Sequence, residues 1–135
     1  MNATQFNTGD SIGRLKAGGL VVHIGVVFSP DLVFHNTPEN GEHLSSLAEF
    51  AAGQPVRLIG RAADARESLA TRTRITQMLR RPQSWSLTAN NCEHSATRAL
   101  GQPVRSPQLA TWTIISFGIA AVTTATARRH VGRVR

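Results

Sequence analysis

Tyrosine is missing from this chain of 135 residues, and cysteine and lysine occur once each, as Cys92 and Lys16. A single cysteine closes no intramolecular disulfide, which excludes a secreted disulfide-stapled scaffold. No basic segment leading into an apolar run follows Met1, so no signal peptide is expected, and the cytoplasm or a membrane facing it is the expected location. Charge is scarce as well: 17% of residues are charged against 41% hydrophobic, too apolar a balance for a disordered chain. Metal-ligand spacings such as HExxH or CxxC are absent, and so is a glycine-rich phosphate loop. No metal and no cofactor are therefore expected.

The formal net charge of +7 is unevenly spread. Residues 1–105 carry eleven basic and eight acidic side chains (+3), while Arg128, Arg129, Arg133 and Arg135 supply the other +4. Every basic residue except Lys16 is arginine. A solvated face is the ordinary reading of such arginines, and nucleic acid is not expected as a partner.

The sharpest change of composition falls near Ser106-Pro107, where an uncharged stretch begins that ends at the arginine cluster. This divides the chain into a main domain, residues 1–105, and a C-terminal segment, residues 106–135. As a helix, residues 109–127 would span roughly 28 Å at ~1.5 Å per residue, close to the ~30 Å hydrocarbon core of a bilayer. Hydroxyl residues from Thr111 to Thr126 make the span marginal, and a buried core helix is the competing reading. A cytoplasmic arginine tail also fits poorly with one span and a cytoplasmic main domain, a conflict that a peripheral or re-entrant helix avoids.

Within the main domain, residues 19–28 (GLVVHIGVVF) and 32–36 (LVFHN) are β-branched and aromatic runs joined by Ser29-Pro30-Asp31, a hairpin signal. Ser46-Leu47-Ala48-Glu49 has capping-box form, with Gly53 placed to close a short helix, and residues 55–59 (PVRLI) read as another strand. Asp64 to Glu67 opens a longer helix with Leu69, Ile75, Met78 and Leu79 as its expected buried positions. Strands come first and helices gather later, which predicts an α+β fold.

Three residues could carry chemistry: His23, His35 and Cys92. With the turn centred on Pro30, opposite residue numbers sum to about 60, so Val27 faces Val33 and Gly25 faces His35. His23, two positions from Gly25, then lies on the same face as His35, a diagonal neighbour at ~7–8 Å between backbones. Cys92 would open a helix capped by Asn91 and closed by Gly101, where the macrodipole favours thiolate and a nearby imidazolium would favour it further. Ala96, Ala99 and Leu100 mark the helix face that packs on the sheet and brings Cys92 towards the histidine strand. Cys92 would then attack an acyl carbon, one histidine would move its proton, and the other would orient the first. A lone cysteine is more often a small buried hydrophobe, and a strand histidine more often a core or edge residue. His94, expected to face away from Cys92, His43, expected in a loop, and His130 in the tail are assigned no role.

Asn91-Cys92-Glu93-His94 (NCEH), preceded by the strand VVHIGVVF, resembles the lecithin:retinol acyltransferase-like, or H-box/NC, family in wording close to its bacterial members. Gly9-Asp10, VFHNTP, SSLAEFAAGQPVRLI and GQPVRSPQL fall in family order, so the resemblance covers most of residues 9–109. It implies a circularly permuted papain-like (NlpC/P60-like) fold, an antiparallel sheet packed against helices, with a C-terminal hydrophobic helix as membrane anchor. By position it makes Cys92 the nucleophile, His23 the general base and His35 the orienting third member, working without metal. The sequence departs from the family pattern at Ser95 and Ile24, where aromatics are usual. Both changes bear on the acyl pocket and leave the trio intact.

The expectation that follows is a cytoplasmic, membrane-associated thiol acyltransferase or phospholipase-like hydrolase. It would act on phospholipid or other acyl esters through a thioester on Cys92, meeting the membrane surface or bilayer through residues 109–127. The alternatives are a cysteine peptidase or amidase of the NlpC/P60 kind and a non-catalytic membrane-associated interaction protein that keeps the scaffold.

Overall fold

The structure is a computed structural model, and it describes residues 6–16, 19 and 21–102. The expected helix over 109–127, the arginine tail and the second segment they form lie outside the described residues.

Five strands form one antiparallel sheet: β1 (Ser11–Lys16), β2 (Val21–Ser29), β3 (Leu32–Thr37), β4 (Gly41–Ser46) and β5 (Arg57–Gly60), in spatial order β4-β3-β2-β1-β5. Three helices complete it: α1 (Leu47–Ala51), α2 (Ala65–Arg80) and α3 (Cys92–Ala99). The α+β class expected from the strand-then-helix order is the one observed. The hairpin register is also as expected, with Val27 opposite Val33 and Val26 opposite Phe34. The β2–β3 ladder stops there, and a bulge beside Ser29 and Leu32 absorbs the turn at its other end.

Strand alternation sorts the core into two layers. Ile12, Val27 and Val33 point to one face and close over Phe6 and Phe50, the latter carried by α1. Val26 and Phe34 point to the other and meet Ile75 of α2 with Ala96 and Ala99 of α3. Small side chains on α3 let its backbone come close to the sheet, as their spacing predicts. The histidines belong to the first face, and α3 packs on the second.

Two strands escaped the sequence reading. β4, GEHLSS, has no β-branched residue, yet it pairs with β3 over its whole length, from Thr37↔Gly41 to Leu32↔Ser46. Its turn depends on Gly41, whose φ of 66° lies in the left-handed region. β1, SIGRLK, is short and interrupted by Gly13, and it joins β2 to the edge strand β5. β5 itself starts two residues later than expected, at Arg57 instead of Pro55, since proline brings no N–H to a ladder.

The helix caps follow the sequence. Ser46 and Glu49 form a reciprocal capping box on α1, Asp64 accepts from the Glu67 N–H on α2 at 2.8 Å, and Asn91 caps α3. One buried position on α2 needs correction: Leu69 is 66% exposed, and Thr71 is buried in its stead. Thr71, Ile75, Met78 and Leu79 recur at helical spacing, whereas Leu69 lies two residues, about 200° of turn, from Thr71 and so on the opposite side.

Candidate active site

His23 of β2 and His35 of β3 are both buried, and they meet where the ladder between their strands has ended. His23 Nε2 and His35 Nδ1 are 2.9 Å apart. Phe50 supports both rings from α1, stacked on His23 at 5.4 Å between centroids and edge-on to His35 at 5.3 Å. A glycine is needed beside them. A Cβ on Gly25 would stand 2.7 Å from Phe50 Cε2 and 2.6 Å from Val33 Cγ1.

The hydrogen-bond chain assigns the tautomers. The Ser45 hydroxyl can donate to the Ser46 carbonyl, 3.2 Å away, which can only accept. In that arrangement Ser45 Oγ accepts from His35 Nε2, 2.8 Å away. His35 Nδ1 therefore carries no proton and accepts from His23 Nε2. What is left is His23 Nδ1, a buried lone pair with no hydrogen-bond partner. A free, oriented lone pair on a neutral imidazole is the requirement for a general base.

Cys92 occupies the first turn of α3, buried, and the N–H of Ile24, the residue after His23, lies near enough to its sulfur to favour the anion. The structure thus brings the two histidines into direct contact and sets the thiol against the same stretch of β2. No hydrogen bond joins Cys92 to either imidazole, since all four ring nitrogens are accounted for above. The Asn91 side chain accepts from the N–H groups of Glu93 and His94. His94, expected to lie idle, completes the cap by accepting the Asn91 N–H on Nδ1 at 3.1 Å.

A buried polar network holds this helix end in place. Asn36, next to His35 but on the opposite face, donates to the Asn90 carbonyl at 2.9 Å and to Ser95 Oγ at 3.0 Å. Ser95 donates to Glu42 Oε1 at 2.8 Å. Arg98 pairs with the same carboxylate and donates to Asn90 Oδ1 at 2.7 Å. Glu42 also accepts from the Gln83 N–H at 2.9 Å, which ties the loop before α3 to β4. Ser95 is fully buried in this network.

Burial sets the protonation states. It pulls His23 down to about 3, helped by the adjacent His35 and by Arg14. It likewise lowers His35 to about 4, with His43 and Arg14 contributing. Burial also pushes the Cys92 thiol up, outweighing the N–H groups that favour its anion. Near neutral pH the site holds a thiol and two neutral imidazoles, and not the preformed thiolate expected from the helix dipole.

Sequence reasoning found the two histidines and the cysteine but missed Ser45, His43 and Glu42. All three sit on β4, the strand without a β signature. His43, expected in a loop, lies across from His35 with ring centroids 4.3 Å apart and donates through Nδ1 to the Gly41 carbonyl at 2.8 Å. Among the described residues no group of three or more His, Cys, Asp or Glu side chains could hold a metal ion, and no helix is long and apolar enough to cross a membrane. No protein-family model matches the chain, and no curated protein matches it.

Proposed function

We propose that the protein is a cysteine-dependent acyl hydrolase or acyltransferase of the lecithin:retinol acyltransferase-like kind, acting on phospholipid-type acyl esters through a thioester on Cys92. One observation carries the reading: in the Ser45–His35–His23 chain only His23 Nδ1 is buried without a partner, free to hold the base's lone pair, on the strand whose next N–H favours the Cys92 anion. The element order, histidine strands before cysteine helix, is that of a circularly permuted papain-like fold and supports the same reading. Residues 109–127 would hold the enzyme to a cytoplasmic membrane face.

Because both partners start neutral, proton transfer accompanies attack. His23 Nδ1 takes the thiol proton as Cys92 Sγ bonds to the acyl carbon, and the carbonyl electron pair moves onto oxygen. The cap leaves the Cys92 N–H to face that oxyanion at the positive end of α3. Collapse expels the alcohol oxygen, which takes the proton from His23, and a thioester remains. Water, an amine or an alcohol then gives a proton to His23 Nδ1, attacks the thioester carbon and releases the thiol. His35 keeps the base in its working tautomer through both halves.

A second reading is favoured by one observation, the lack of any hydrogen bond between the thiol and an imidazole: a scaffold that binds without catalysis. Intact-protein mass spectrometry separates the two. Wild type, Cys92→Ser and Cys92→Ala are incubated with short-chain phosphatidylcholine vesicles and quenched in acid. An acyl-sized mass gain, hydroxylamine-labile in wild type and absent from Cys92→Ala, is the expected result. No adduct in any folded variant would remove the lipid reading and move the test to peptide amides.

A further inference from the structure

On the sheet face that carries α3, β1 and β5 are left partly bare. Leu15 stands opposite Val22 and Gly13 opposite Ile24, so Gly13, Leu15, Val22 and Ile24 share that face. A groove with a cavity volume of about 260 Å³ opens there, its lining including Gly13, Leu15, Val22, Leu58 and Ile59, with Pro55 and Arg57 beside them. Among the described residues the lining includes no carboxylate. Of the six exposed large hydrophobic side chains among the described residues, three line it: Leu15, Leu58 and Ile59, the last 52% exposed. Such concentration of exposed apolar surface is unlike the scatter of an ordinary protein surface.

Gly13 keeps the floor low. A Cβ there would stand 2.8 Å from both Ile59 Cδ1 and Val22 Cγ1. The groove lies on the strand that also carries the candidate site: Val22 lines it, and Ile24, whose N–H favours the Cys92 anion, follows two residues on along the same face, roughly 7 Å at ~3.3 Å per residue. Its volume falls short of the ~300 Å³ at which sites for drug-sized ligands begin, which suits one slender chain better than a ring system.

We propose that this groove receives the acyl chain of the ester that Cys92 attacks, with Gly13 and Ile59 setting the chain length accepted. The proposal rests on the acyl-transfer reading, so its test measures binding and turnover separately. Binding uses full-length Cys92→Ala and decyl phosphocholine, a probe that cannot be cleaved, below its micellar concentration, followed through the methyl signals of Leu15, Val22 and Ile59. Turnover uses wild-type Cys92 and esters from acetyl to dodecanoyl.

Saturable shifts at those three residues are expected, with affinity lowered about tenfold by Gly13→Val and about fivefold by Ile59→Ser, against background Cys92→Ala. Leu69→Ser, at an exposed leucine on α2 away from the groove, should not change it. In turnover, kcat/KM should rise with chain length and then level off, and Gly13→Val should move that plateau to shorter chains. Equal affinity in Ile59→Ser, equal loss in Leu69→Ser, or a concentration-dependent dimer abolished by Ile59→Ser without ligand would each overturn the proposal, the last by making a second copy the occupant. Should Gly13→Val not fold, Ile59→Ser decides alone, because its position is exposed. Chain binding without turnover would overturn the acyl-transfer reading alone, and turnover indifferent to chain length would overturn the groove alone.

Discussion

His35 Nε2 and Ser45 Oγ are 2.8 Å apart, and the direction of the bond between them determines which nitrogen of His23 carries a proton. When the Ser45 hydroxyl gives its one hydrogen to the Ser46 carbonyl, the direction of every bond upstream follows. A residue two side chains from the reacting atoms thereby sets the state of the base.

Ser45→Ala should lower kcat of acyl transfer about tenfold while leaving KM nearly unchanged, within the ~10²–10⁴-fold that general-base assistance is worth in full. Without the acceptor, His35 is free to protonate Nδ1, and His23 can then turn its lone pair away from the thiol. Ser45→Thr keeps the hydroxyl and should restore most of the rate. Pre-steady-state acylation by mass spectrometry reads both. Equal rates for Ala and Ser at position 45 would show that the tautomer is fixed elsewhere.

Acid should destabilise the fold before it protonates most carboxylates. Both site histidines titrate lower in the folded protein than the ordinary 6.5, at about 3 and about 4, so the unfolded chain binds more protons through that interval. Their contribution to stability is therefore fully present above about pH 6.5 and is lost as pH falls towards 4 and 3, at up to about 1.4 kcal/mol per pH unit for each ring. Urea unfolding between pH 7.5 and 4 checks this, and His35→Phe should flatten the slope. A stability that rises on acidification would contradict buried, neutral imidazoles.

What the sequence made legible follows from how locally each feature is encoded. The β2–β3 register could be read because Pro30 centres the turn and the β-branched runs leave one alternation that buries Val27 against Val33. That register alone put His23 and His35 on one face. The caps at Ser46, Asp64 and Asn91 are equally local, each needing only a side chain three residues from its partner. β4 was not legible, because GEHLSS has no β-branched residue and its buried Glu42 depends on Arg98, more than fifty positions away. The state of Cys92 was misread for a related reason: helix position is local, but burial, which decides the thiol's protonation, is a property of the packed layers.

Arg98→Met should cost about 3 kcal/mol, since it leaves the Glu42 carboxylate buried without its cation. The neutral Glu42→Gln should cost less, because an amide needs no counter-charge and can still accept from the Gln83 N–H. In the double variant Arg98→Met with Glu42→Gln the losses should be less than additive, as both act on one pair. Chemical denaturation of the four proteins gives the coupling. Full additivity would mean that Arg98 acts through its contact with Asn90 and not through Glu42.

Gly25→Ala tests whether the imidazole pair depends on the ring beneath it. The added methyl would lie 2.7 Å from Phe50 Cε2, 2.6 Å from Val33 Cγ1 and 3.2 Å from the Phe34 carbonyl oxygen, which belongs to the ladder and cannot easily move. Phe50 is fully buried and has no empty space to retreat into. Overpacking of this kind costs about 1–3 kcal/mol, and it displaces the ring stacked on His23. Stability should therefore fall together with the acylation rate, whereas Gly53→Ala, at a glycine with no neighbour near its Cβ but a φ of 77°, should lower stability by about 1 kcal/mol and leave the rate unchanged. Thermal unfolding beside the acylation assay separates these outcomes. If Gly25→Ala loses stability at an unaltered rate, the Phe50 ring does not position His23.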